Sequence, residues 1–269
     1  MENYSLEDLL YLMSRLRDPQ DGCPWDTAQD FSSIVPHTIE ESYELADAIA
    51  SGDIQHIREE LGDVLFQVIF CAQLGAEQEH FDFSGIVSSL VEKLLRRHPH
   101  VFPDGSLRSR MGVQQASTAS IKQNWENLKI AERREKQLNG VLDDIPSALP
   151  ALTRAAKIQK RASKTGFDWS NADGVLLKLQ EEISELVAAR LTNNKQEIEG
   201  EIGDILFTAV NLARHVDVDP ESALRITNKK FEARFRYIEK ALQAAGSSTR
   251  QASVEEMDML WDEAKQQGL

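Results

Sequence analysis

The strongest constraint on this chain is that it contains itself twice. EESYELADAIASGDIQHIREELGDVLF at 40–66 lies over EEISELVAARLTNNKQEIEGEIGDILF at 181–207 without a gap, at a separation of 141 residues. Glu40, Glu41, Glu44, Leu45, Glu60, Gly62, Asp63, Leu65 and Phe66 fall on Glu181, Glu182, Glu185, Leu186, Glu201, Gly203, Asp204, Leu206 and Phe207. A separation this long implies duplication of a whole domain, not a short solenoid repeat. With 269 residues, two domains of ordinary size result. The turn-forming Asn139-Gly140 sets the boundary, giving domains at 1–139 and 140–269.

Apolar residues recur at three- and four-residue steps throughout, as at Leu6, Leu9, Leu10, Met13 and Leu16. Strand-like alternation is hard to find, so the fold class is all-α. Helices are expected at 5–17, 35–50, 54–75, 84–97, 114–138, 148–163, 172–191, 195–215, 220–245 and 254–266. Pro36, Pro146 and Pro220 suit first turns or their approaches. A helix pair alone cannot bury its remaining faces, so each half should be of four-helix-bundle type, completed by the other copy or by a second chain.

A straight helix from Glu182 to Asp204 would hold its ends roughly 33 Å apart. The chain must fold back, and Asn193 is the midpoint of both 182 with 204 and 185 with 201. An antiparallel hairpin about it sets those pairs level. Gly52 does the same for Glu41 with Asp63 and Glu44 with Glu60. Spacing of three residues within each helix puts both carboxylates on one face. Four packed anions repel unless something positive compensates, and a divalent cation is the natural compensation. Oxygen-only ligation suits Mg²⁺, with Mn²⁺ as a substitute, and magnesium completes its shell with phosphate oxygens. Outward-facing acidic stripes are the plain alternative, but one repeated with mirror spacing in both halves is a poor fit to chance. Glu40 and Glu181 lie about 100° round the helix and are supporting or solvated groups. Gly62 and Gly203 each cost about 1 kcal/mol in a helix, which points to close helix approach or to ligand access.

Lys plus Arg total 30 against 44 Asp plus Glu, a formal charge of −14. General nucleic-acid binding is therefore not expected, whereas a small anion remains compatible with one locally reversed spot. Cys23 and Cys71 are too few for a disulfide framework and are read as structural thiols in a reducing compartment. The start MENYSLEDLLYLMSRL is acidic and amphipathic, and no apolar run approaches membrane-spanning length. A soluble, cytoplasmic protein without a membrane partner is expected.

At these carboxylates the chain resembles the MazG family of all-α nucleoside triphosphate pyrophosphohydrolases, whose signature is EExxE followed by EExxD. REELGD at 58–63 fits the second half fully, whereas GEIGD at 200–204 has Gly200 in place of the first Glu and keeps Glu201 and Asp204. CPWDTAQ at 23–29, RRHPHVF at 96–102, KIQKR at 157–161, GFDW at 166–169 and NKKFEARF at 228–235 also look like the two-domain members, so the likeness spans essentially the whole chain. The resemblance implies Mg²⁺ held by Glu182, Glu185, Glu201 and Asp204, attack of water on the α-phosphorus, and release of monophosphate and pyrophosphate. It also implies that Lys230 and Arg234 lie near the nucleotide, that Trp261 stacks on the base across a broad base range, and that the protein is a homodimer.

Both copies retain the acidic set, so Glu41, Glu44, Glu60 and Asp63 form a possible second site. Lys93, Arg97 and Trp125 echo Lys230, Arg234 and Trp261. The second copy is preceded by the denser cationic helix, with Arg154, Lys157, Lys160, Arg161 and Lys164 against Arg15 and Arg17. Lys157, Lys160 and Arg161 are accordingly expected to meet substrate. In relatives of this build the C-terminal copy is the working one, which leaves the N-terminal copy a structural or regulatory role. The helix around Ile121 to Lys136 is basic and acidic in turn, as an exposed helix or a bridge between halves would be. A ferritin-like di-iron oxidase would need a Glu-x-x-His pair in each half, but Glu77 to His80 has Val218 opposite Glu77 in the second. A non-catalytic nucleotide sensor or interaction scaffold would share nearly every residue with the enzyme.

Overall fold

A computed structural model describes residues 3–110, 117–135, 137–138 and 140–269. Eleven α-helices and no strand occur among the described residues. The chain divides into one compact unit ending at Ala131 and a second from Glu132 to Leu269. Asn139, at the expected boundary, lies outside the described residues.

In the first unit, α1 (Leu6–Leu16), α2 (Pro24–Thr27), α3 (Phe31–Ser51), α4 (Ile54–Glu77), α5 (Phe83–Arg97) and most of α6 (Thr118–Glu135) follow in order. Their ends have local causes. Ser5 and Asp8 form a capping box at α1, and Asp30 and Ser33 form one at α3, each satisfying two otherwise orphaned backbone donors. The Asp30 box starts α3 four residues earlier than expected, so Pro36 sits inside the helix instead of in its first turn. The small helix α2 was not expected; Pro24 at its first position pre-sets the backbone. Of the helix expected over 114–138, residues 114–116 and 136 lie outside the described residues.

Helix α4 is the hub, packing on α3, α1 and α5. Met13, Ile34, Ile69, Phe70 and Leu74 form its buried core, lined by Leu9, Leu10, Phe31, Phe66, Cys71 and Phe83. Burial pushes the Cys71 thiol above its ordinary value, consistent with a packing role. Cys23 and Cys71 are both free. Arg17, buried at the end of α1, makes a two-pronged pair with Glu77 at 2.8 and 2.6 Å and donates to the carbonyls of Asp26 and Gln29. It thereby ties the CPWDTAQ turn to the end of α4.

The second unit repeats the plan. Helices α7 (Ala151–Ser163), α8 (Ala172–Thr192), α9 (Lys195–His215), α10 (Pro220–Ala244) and α11 (Val254–Gln266) place α9 against α8, α7 and α10, with α11 on α10. Pro220 is in the first turn of α10 behind its cap Asp219. Val175, Val210, Ile238, Leu242 and Ala264 are buried. Rows of apolar residues stay exposed on both hairpins, among them Leu61 and Leu65 on α4, Ile183 and Val187 on α8, and Ile202 and Leu206 on α9. No described helix is long and apolar enough to cross a membrane.

Candidate metal and nucleotide site

The carboxylates meet because two residues accept left-handed backbone. Gly52 ends α3 at φ 75° and Asn193 ends α8 at φ 54°. Glycine adopts that conformation freely, and asparagine tolerates it better than most residues. Asp53 and Asn194 then cap α4 and α9 by accepting backbone N–H bonds, so each helix restarts at once in the opposite direction. The turns fall at the midpoints that the sequence spacing requires.

In the second unit Glu182, Glu201 and Asp204 each offer an oxygen within 4.8 Å of the others. Glu182 is buried, Glu201 half-buried and Asp204 exposed, so the cluster runs from the helix interface toward solvent. Glu185 adjoins it: a hydrogen bond with Glu182 is the main cause that raises its pKa, and the charges of Glu182 and Glu201 add to it. The first unit gathers Glu41, Glu60 and Asp63 in the same way, with Glu60 the buried member. Burial, followed by the charges of Asp63, Glu44, Glu60 and Glu40, raises the Glu41 pKa. Glu44 thus stands beside the first cluster as Glu185 stands beside the second.

The cation that meets the second cluster is Lys178, which the sequence reading missed. Its Nζ lies 2.9 Å from Glu182 and 3.0 Å from Glu181, and these two partners raise its pKa. Its position four residues before Glu182 on one helix was the available signal. One ammonium balances only part of four gathered carboxylates, and an oxygen donor set of this kind fits a hard divalent ion. Glu181, expected to be supporting or solvated, is exposed and shares Lys178.

The expected nucleotide residues fall in three places. Arg234 lies over the Trp261 ring at 5.3 Å and donates from Nε to the Leu269 carbonyl at 2.7 Å, while Phe231 packs on the same ring with centroids 5.1 Å apart. Lys230 is exposed on α10. Lys157 and Lys160 line a recess of about 380 Å³ with Arg214 and the turn from Asp217 to Pro220. Arg214 lies ten residues beyond Asp204, about 15 Å along α9. Arg161 pairs with Asp144 at 3.0 Å and donates to the carbonyls of Val141 and Asp143 at 3.3 Å, so it anchors a loop.

The structure also narrows the reading of the helix glycines and gives the GFDW stretch a place. A Cβ added at Gly62 or Gly203 would meet nothing within 4 Å, so close helix approach within this chain does not account for either glycine. GFDW is a brace: Asp168 pairs with Arg214 and sits 3.1 Å from His215, and the Arg214 bond is the main cause that lowers its pKa. Trp169 closes over Gly174, where an added Cβ would stand 2.8 Å from Cδ1. These contacts join the start of α8 to the end of α9.

A family model described as the MazG nucleotide pyrophosphohydrolase domain matches residues 29–102 and 171–238, one hairpin in each unit. The chain is 45% identical over 264 residues to the nucleoside triphosphate pyrophosphohydrolase of Escherichia coli K12, covering 97% of both chains. It is 41% identical over 259 residues to the nucleoside triphosphate pyrophosphohydrolase/pyrophosphatase MazG of Thermotoga maritima, covering 96% of this chain and 95% of that one. To the nucleoside triphosphate pyrophosphohydrolase of Mycolicibacterium smegmatis it is 31% identical over 241 residues, 89% of this chain and 60% of the relative.

Proposed function

The chain belongs to the MazG family and is a nucleoside triphosphate pyrophosphohydrolase, and we propose that it cleaves its substrates at the α-phosphorus to monophosphate and pyrophosphate with Mg²⁺ at the second-unit cluster. The observation that carries this reading is the convergence of Glu182, Glu201 and Asp204 from two helices, with a buried Glu182 that Lys178 meets at 2.9 Å. Glu182, Glu185, Glu201 and Asp204 would hold the ion. Bound there, Mg²⁺ supplies charge neutralisation for the triphosphate and acidifies a nearby water. A carboxylate of the same set would take the proton from that water.

The chain's own residues supply the rest of the reading. Lys178 sits beside the carboxylates, 2.9 Å from Glu182, and would be free to turn its ammonium toward phosphate oxygens if an ion neutralised Glu182. Trp261, carrying Arg234 over its ring, offers a flat surface on which any base can stack, which suits a broad range of NTPs and dNTPs. The exposed apolar rows on α8 and α9 support a second chain as the missing side of the bundle, hence a homodimer. The acidic balance and free thiols fit a cytoplasmic protein that does not bind nucleic acid.

The test is a product-resolved assay across the eight common triphosphates, with Mg²⁺ and then with EDTA. Monophosphate and pyrophosphate should appear in equal amounts with Mg²⁺ alone and disappear in Glu182→Gln, Glu201→Gln and Asp204→Asn. Binding without release would make the protein a nucleotide sensor, and orthophosphate released through a diphosphate would exclude cleavage at the α-phosphorus.

A further inference from the structure

The turn that follows α11 is closed and fastened. Gly268 adopts φ 83°, a backbone that side chains rarely accept. Its N–H donates to the Lys265 carbonyl at 3.0 Å, and the Leu269 N–H reaches back to the Ala264 carbonyl at 3.2 Å. These two bonds are the pair by which a glycine closes a helix and reverses the chain. The turn is also docked on α10. Ala264 is fully buried, and the Tyr237 hydroxyl accepts from Gln267 Nε2 at 2.8 Å and donates to Glu263. A closed and docked turn has little choice about where its next carbonyl points.

That carbonyl, of Leu269, accepts from Arg234 Nε at 2.7 Å. Trp261 sets the guanidinium from a second side, with its ring centroid 5.3 Å from Cζ. Nε and the plane are thus both fixed, while the two Nη atoms are uncommitted: Arg234 makes no other hydrogen bond or ion pair among the described residues. The neighbouring acids are engaged elsewhere, Glu232 with Arg236 at 3.2 Å, Asp262 with Lys265 at 2.8 Å and Glu263 with Tyr237. Among the described residues, then, no side-chain carboxylate cancels this cation. Its remaining N–H donors form a fixed fork that matches phosphate oxygens. Lys230, exposed one turn earlier on α10, brings a charge on a flexible stem and no fork.

We propose that the turn at 267–269 is a positioning element for the substrate: the Leu269 carbonyl holds Arg234 so that both Nη atoms are presented to phosphate oxygens of a nucleoside triphosphate. This rests on the reading that Arg234 meets the nucleotide, and adds to it the group that orients the arginine. A side chain oriented before the substrate arrives has less freedom to lose on binding. Releasing it weakens affinity by about 2- to 10-fold.

The test is calorimetric titration of the full-length protein with α,β-methylene-ATP and Mg²⁺. Gly268→Val, a β-branched residue that the left-handed backbone disfavours, should weaken binding about 2- to 10-fold with the helical circular dichroism unchanged. Gly268→Asn, which tolerates that backbone, should stay within about twofold of wild type. In an Arg234→Ala background Gly268→Val should cost nothing further, because the turn acts only through that side chain. In ¹H–¹⁵N spectra the Arg234 Nε–H should exchange faster with solvent in Gly268→Val than in wild type. A loss of equal size in both backgrounds makes the turn a structural part of the helix alone and overturns the proposal. Unchanged or tighter binding by Gly268→Val overturns it as well, the latter by making the contact an inhibitory one. If Gly268→Val does not fold, Gly268→Ala carries the same comparison with less strain. Arg234→Ala that binds as wild type does, or wild type that does not bind the analogue, removes instead the reading that Arg234 meets the nucleotide, and the positioning role falls with it.

Discussion

Replacing Glu77 by glutamine tests the buried pair that holds the first unit together. Arg17 has 6% of its side chain exposed and Glu77 has 33%, so the guanidinium is the buried partner and water reaches the carboxylate. Two charge-assisted bonds become, at best, one neutral bond, because the amide NH₂ faces a donor. At about 1.5–3 kcal/mol for a bond to a charged group and about 0.5–1.5 for a neutral one, Glu77→Gln should cost about 2 kcal/mol. Glu77→Ala should cost about 3 kcal/mol, the low end for breaking a buried pair, since Arg17 keeps the carbonyls of Asp26 and Gln29. For a unit of this size, about 2 kcal/mol lowers the melting temperature by about 6–10 °C. The pH dependence gives an internal check. The Arg17 hydrogen bond, first among the causes, holds Glu77 below its ordinary value of 4.5. A depressed folded pKa means that the stabilisation is complete above the unfolded value and is lost as pH falls through the folded one. The gap between wild type and Glu77→Gln, measured by calorimetry on the first unit's transition, should be full at pH 7 and close progressively below about pH 4.5. Equal stability at pH 7, or a gap unchanged as the solution is acidified, refutes the reasoning.

Gly203→Ala should stabilise the second unit by about 0.5–1 kcal/mol in thermal melts, since the added methyl meets open space and alanine is the better helix former; destabilisation would mean that a ligand or second chain comes close there. Gly174→Ala should do the opposite, because its Cβ would stand 2.8 Å from Trp169, and a red-shifted indole emission should report the displaced ring. The raised Glu185 pKa makes a proton compete with the ion earlier than at an ordinary carboxylate. Mg²⁺ affinity, followed by calorimetric titration, should therefore begin to fall at a higher pH in wild type than in Glu185→Gln. Phe70→Ala, at a site fully buried against Met13 and Leu74, should cost about 3–5 kcal/mol in urea unfolding.

The hairpins were legible because their signal is arithmetic: a turn residue at the centre of two carboxylate pairs leaves little freedom, and Gly52 and Asn193 do turn the chain there. Helix starts were harder. Apolar periodicity begins near Val35, but the Asp30–Ser33 box nucleates α3 at Phe31 and carries the chain through Pro36, which forgoes one backbone bond. Charge was harder still. The cationic run on α7 looked like a phosphate surface, yet a run of charge says nothing about direction, and the helix turns Arg161 onto a loop while Lys157 and Lys160 face the end of α9.

Duplication also conceals what it copies. Aligning the halves brings the shared glutamates and aspartates forward, since these are what identify the repeat, and pushes differences such as Lys178 against His37 or His56 against Glu197 into the background. Those positions lie four residues before a carboxylate on the same helix, so they set the charge and the donor type that the carboxylates see. An ion bound beside Lys178 would have to compete with an ammonium already seated on Glu182, whereas in the first unit Glu60 meets the His56 imidazole at 2.9 Å. Two copies of one acidic motif can thus have different ion preferences with every carboxylate retained. Removing only the ammonium, with Lys178→Met, should raise Mg²⁺ affinity in calorimetric titrations, because the ion no longer has a seated cation to displace. If the affinity stays where it was, the carboxylates alone set it, and Lys178 is a bystander.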